Sequence, residues 1–151
     1  MVKLNIKNKI FAIFFISVYC IVMAGCNDIN RNDLIIKDAY LYLPLKGSDM
    51  SVGYLKFENN QTKKIVITSI ECEKVIVSLH ETIVNSEGMT KMKELEMFVV
   101  DPNSLVNFKP GGKHVMFFGL TEFKDSILRC AFLSDSGVKI PFTFKVLTNE
   151  Q

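Results

Sequence analysis

The sequence predicts an all-β protein, an antiparallel β-sandwich, on three observations. Short apolar, β-branched and aromatic runs recur along positions 34–147, each of strand length. Clusters of Gly, Pro, Asn and Ser break those runs at regular intervals. No stretch of helical period is long enough to lay an apolar face on a core.

Each element follows from its local pattern. The run at 34–43 (LIIKDAYLYL) ends in a PLKGSD loop. In 51–59 (SVGYLKFEN) Val52, Tyr54, Lys56 and Glu58 take one face, and Gly53, Leu55, Phe57 and Asn59 the other. The turn NNQTKK leads into 65–71 (IVITSIE), and 75–83 (VIVSLHETI) runs into NSEG, a hairpin-type turn. Segments 90–96, 104–109, 114–120, 126–133 and 140–147 complete nine expected strands. Phe57, Phe108, Phe117, Phe118, Phe132, Phe142 and Phe144 are the expected filling between two sheets. There is no internal repeat, and one domain is expected.

The first 25 residues read as a targeting segment. Lys3, Lys7 and Lys9 form a positive start with no acid nearby, and positions 10–23 are apolar but shorter than the run of about 20 needed to span a bilayer. The run closes on VMAGC, which resembles a bacterial lipobox, with Met23 where Leu is usual. That resemblance implies lipidation of Cys26 after cleavage before it, and an envelope protein anchored by lipid and facing the periplasm. An ordinary signal peptide or a short membrane anchor is the alternative. Residues 26–33 would then be a polar tether and 34–147 the folded domain.

Removing three lysines and no acids leaves 15 basic and 16 acidic side chains, a formal charge near −1. With no basic run, nothing recommends a nucleic-acid partner. Only Cys72 and Cys130 remain beyond Cys26. Export would permit a disulfide between them; two separately buried thiols are the alternative.

The chemistry-bearing residues are sparse. The chain has two histidines, His80 in VSLHET and His114 in KPGGKHVMFFGL. His114 and Met116 lie two apart on a strand and share a face. Pro110 and Gly111–Gly112 supply a tight turn ahead of them. With Met92, the spacing is H-x11-M-x21-H-x-M.

That spacing resembles the periplasmic copper chaperones of the PCuAC type. So do IKDAYLYLP (with Tyr40 where Trp is common), SVGYLKFEN, VSLHET and the Pro-Gly-Gly-x-His-x-Met block. The similarity covers most of 35–146. It implies a cupredoxin-like β-sandwich, copper ligation by His80, Met92, His114 and Met116, and delivery to the CuA centre of cytochrome c oxidase. Some relatives carry a His- and Met-rich tail for a second copper ion; this chain ends KVLTNEQ, without those donors.

The donor chemistry agrees with that implication. Two imidazoles and two thioethers are neutral, and soft thioether sulfur favours Cu(I), whereas magnesium and calcium want oxygen. A carrier is therefore expected, not an enzyme: there is no C-x-x-C pair and no nucleophile–base arrangement. Copper buffering without a dedicated client is the nearest alternative. An electron-transfer cupredoxin would need a Cys thiolate beside two His, and neither Cys72 nor Cys130 has that spacing. Glu81 and Lys113 are expected to be solvated, Met89 to sit at a turn, and Met50 and Met97 to carry no spacing argument.

Overall fold

The computed structural model describes residues 33–148; the expected signal segment, Cys26 and nearly all of the tether lie outside them. In chain order the strands are β1 (Leu34–Tyr42), β2 (Met50–Asn59), β3 (Ile65–Cys72), β4 (Ile76–Val84) and β5 (Thr90–Glu94). They continue as β6 (Phe98–Val100), β7 (Ser104–Phe108), β8 (Lys113–Phe118), β9 (Ile127–Ser134) and β10 (Lys139–Leu147). Nine fall on the segments expected from alternation. The tenth, β6, was not anticipated: three residues are too few to show a period of two. No helix among the described residues is long and apolar enough to cross a membrane.

The strands hydrogen-bond in the order β5-β4-β8-β7-β2-β1-β10-β9-β3-β6, with β8 also pairing directly with β2. This is one curled ladder, whose two leaves join where β1 runs parallel to β10. Apart from this junction and a single parallel register pair between β7 and β8, all pairings are antiparallel. The core forms between the leaves. Phe57 on β2 packs at ring-centroid distances of 5.4 Å from Phe132 on β9 and 5.9 Å from Phe98 on β6. Phe117 on β8 meets Phe144 on β10 at 5.1 Å.

Five of the seven expected core phenylalanines, Phe57, Phe108, Phe117, Phe132 and Phe144, are fully buried. Phe142 is partly buried and stacks on Phe132 at 4.8 Å. Phe118 is the exception: it follows the core residue Phe117 on the same strand, so it faces the other side and stays half-buried. Buried Phe98 takes a core place that the sequence did not reveal.

Two features fix the leaf that carries β8. Gly53 on β2 pairs with Val115, and a Cβ there would meet Phe117 at 2.8 Å and Phe144 at 3.1 Å. The strand can pass so close only because Gly has no side chain. At the far end of β2, buried Asn59 donates from Nδ2 to the carbonyls of Lys63 (2.8 Å), Val100 (3.1 Å) and Asp101 (3.0 Å) and accepts the Gln61 N–H at Oδ1. It ties β2 to the end of β6 and to the turn that follows β2. Cys72 and Cys130 face each other across β3 and β9 and form a disulfide, so of the two readings of the cysteines the bonded one holds.

Candidate metal site

β4, β5 and β8 lie side by side, and their register brings the four candidate residues to one face. His80 pairs with His114 across β4 and β8, Ser78 with Met116, and Thr82 on β4 with Met92 on β5. Because side chains two apart on a strand share a face, His80, His114, Met116 and Met92 all point away from the core side that Leu79, Val115 and Phe117 occupy. The imidazole rings stack with centroids 5.9 Å apart and planes 27° from parallel.

The turn before β8 does two jobs. Gly111 has φ +74°, a conformation that suits Gly, and the Gly112 N–H bonds the Lys109 carbonyl at 3.0 Å. The Gly112 carbonyl then accepts both the Thr82 N–H at 3.1 Å and His114 Nδ1 at 3.0 Å. With Nδ1 donating to a carbonyl, the neutral tautomer of His114 is the one with its lone pair on Nε2; a hydrogen bond on one imidazole nitrogen commonly orients a metal ligand in this way. His114 is nonetheless 5% exposed, so it sits beneath the lip of the site.

His80 is prepared differently. Its Nε2 lies 2.9 Å from the Ser78 hydroxyl, while its Nδ1 is buried without a hydrogen-bond partner. An unpartnered buried nitrogen is costly unless something binds it, and a soft cation would. Burial holds the His80 pKa below its ordinary value; the charge of His114 acts in the same direction, and Glu94 opposes both. The lowered pKa favours the neutral ring at neutral pH, the form in which an imidazole can act as a metal ligand.

Beside the two rings lies a cleft of about 550 Å3, walled by Met92, His114 and Met116, by Pro110 and Gly111 of the turn, and by Tyr42 and Tyr54 of β1 and β2. His80 borders this cleft without lining it. One lining residue was invisible to spacing arguments: Met50, at the start of β2, adds a third thioether. It comes near because β2 lies against β8, with Met50 opposite Phe118 and Val52 opposite Met116. Glu81 and Lys113 turn to the other face and form an ion pair with each other, so neither orients His80. Met89 sits in the turn between β4 and β5, its N–H bonded to Asn85 Oδ1 at 2.8 Å. Among the described residues no three His, Cys, Asp or Glu side chains converge as a metal cluster.

The LpqE-like lipoprotein family profile matches residues 34–127, more than half of the chain. The chain belongs to this family, which is of the PCuAC type. The fold is similar to the copper-bound PCuAC domain from PmoF2, at 15% identity and TM-score 0.61 over 77% of this chain and 93% of that domain. It is also similar to the apo PCuAC domain from PmoF1, at 15% identity and TM-score 0.64 over 80% and 97% of the two chains. Apo-DR1885 from Deinococcus radiodurans matches at 16% identity and TM-score 0.57 over 83% and 84%. Identities this low establish a shared cupredoxin-like fold and no more. In sequence, RP573 from Rickettsia prowazekii (strain Madrid E) is 31% identical over 70 residues, 45% of this chain and 38% of that protein. The match thus spans well under half the length of that relative.

Proposed function

We propose that this protein is a copper carrier that holds Cu(I) between His80, Met92, His114 and Met116 and delivers it to cytochrome c oxidase during assembly of its CuA centre. One observation carries the reading. The four donors share one face of β5-β4-β8, with His114 Nδ1 bound to the Gly112 carbonyl and His80 Nδ1 buried without a partner. Family membership and the copper in the PmoF2 domain support it.

The chemistry of such a site is ligand binding without turnover. Two neutral imidazoles and two neutral thioethers leave a bound Cu(I) as a monocation, and the sulfur atoms favour the lower oxidation state. Thioethers do not cross-link on oxidation, so the set survives outside the cytosol. Met92 is 58% exposed while His114 is buried, so the shell is firm on the protein side and open on the solvent side. An incoming protein ligand can displace Met92 first and take the ion by stepwise exchange.

In the same reading Cys26 carries the lipid, residues 26–33 are the tether and 34–147 the carrier domain, held at the periplasmic face of a bacterial membrane. The test is Cu(I) competition against a chromophoric chelator, comparing the parent with His114→Ala and Met92→Ala. Both variants should lose affinity, His114→Ala the more; equal retention in all three would remove the ligand assignment. Buffering without a client is the rival, and CuA loading in a deletion strain separates them, since normal loading would favour buffering. An electron-transfer role is opposed by the disulfide, which leaves neither Cys72 nor Cys130 a thiolate. The copper complex should be colourless.

A further inference from the structure

From the wall of the cleft we infer that Met50 is a fifth copper-binding side chain, which replaces His80 in the shell as the ion leaves. The inference rests on the copper reading above and adds an exit route to it. Met50, Met92, His114 and Met116 all line one cleft, and His80 is not among its lining residues. β8 lies between the two candidates for the fourth position: His80 is on its β4 side and Met50 on its β2 side. Residues diagonal across neighbouring strands stay within reach of long side chains, and Met50 is diagonal to Met116 on their common face.

Met50 is also held in place by its surroundings. The Ser48 hydroxyl accepts the Met50 N–H at 3.1 Å and donates to the Met50 carbonyl at 3.3 Å. On the next residue the Ser51 hydroxyl donates to the Tyr42 carbonyl. The backbone at the head of β2 is thus pinned from both sides while the side chain stays 49% exposed. A purely packing residue there could be Leu or Ile; a thioether adds a soft donor beside two others.

The step is a ligand exchange with no change of oxidation state. A Cu–S bond to Met50 forms and the Cu–N bond to His80 breaks, and both ligands are neutral before and after. Within the cleft the ion shifts from the β4 side of β8 toward its β2 side. His114 and Met116 keep hold throughout.

The test uses the full-length protein in detergent, labelled with 13C at the methionine methyl groups and titrated anaerobically with one equivalent of Cu(I). The methyl signals of Met92, Met116 and Met50 should all shift, and that of Met97, exposed but outside the cleft, should not. Met50→Leu is close in volume at a half-exposed position, so it should keep the fold. It should slow removal of Cu(I) by a chelator about tenfold, with Met97→Leu unchanged as the control; tenfold in rate is about 1.4 kcal/mol of barrier. An unmoved Met50 methyl, or parent-like removal from Met50→Leu, overturns the inference and leaves the four-ligand site standing. If the Met92 and Met116 methyls also fail to move, the site itself is wrong and the inference falls with it.

Discussion

Replacing both Cys72 and Cys130 with Ala should cost stability and leave copper binding alone. The disulfide joins residues separated by 58 in sequence. Chain-entropy arithmetic for a loop of this length gives about 4 kcal/mol at 25 °C, and measured effects usually fall to about 2–4 kcal/mol. Cys130 is nearly buried in the core of the second leaf, so lost packing adds to the entropic cost. In a domain of this size the melting temperature should fall by on the order of 10 °C. The bonded pair lines a separate cleft, with Arg129 and Phe142, that shares no residue with the candidate metal site. Cu(I) affinity should therefore stay within about twofold. Urea unfolding followed by far-ultraviolet circular dichroism gives the first quantity, and chelator competition the second. An unchanged urea midpoint would refute the stability argument. A large loss of copper affinity would show that the cysteines belong to the metal chemistry.

Three further outcomes follow from the fold and the site. Gly53→Ala should destabilise by about 1–3 kcal/mol in urea unfolding, because the new methyl meets the rigid rings of Phe117 and Phe144; a neutral or stabilising result would mean that this approach is looser than it looks. Asn59→Ala should cost about 1–3 kcal/mol by leaving the Val100 and Asp101 carbonyls without their amide partner, and amide exchange near β6 should quicken. For His80 the sign follows from its depressed pKa. The unfolded chain takes up the proton first, so the contribution is complete above about pH 6.5 and is lost as pH falls through the lower folded value. Comparing urea midpoints of the metal-free parent and His80→Gln between about pH 7.5 and 5.5 should show the parent losing more on acidification; a parent that loses less contradicts the burial argument.

What the sequence showed, it showed through local pattern. Alternation in 51–59 put Leu55 and Phe57 on one face and Tyr54 and Lys56 on the other, and the structure buries the first pair. The same rule put His114 and Met116 together. What it missed depends on which strands become neighbours. β6 is too short for a pattern and is recognisable only through Ile65 pairing with Val100. The Cys72–Cys130 bond requires β3 to lie beside β9, and Met50 joins the cleft only because β2 lies beside β8. Phe118 was misassigned because an aromatic pair looks like core, although adjacent strand residues cannot share a face. The pairing of His80 with His114 lies between these cases: its residue types are local, and its register is not.

A single oxygen atom serves two masters in this fold. The Gly112 carbonyl receives a main-chain proton donor from β4 and the ring of His114 at once. Fraying of β4 from β8 near Thr82 would leave that oxygen fixed by the ring alone, and a cation bridging His80 on β4 and His114 on β8 would in turn hold the two strands closed. Coupling of this kind is reciprocal: slower hydrogen exchange at the Thr82 amide upon metal loading would be its trace, and a client that prised the strands apart would thereby loosen the grip on the ion.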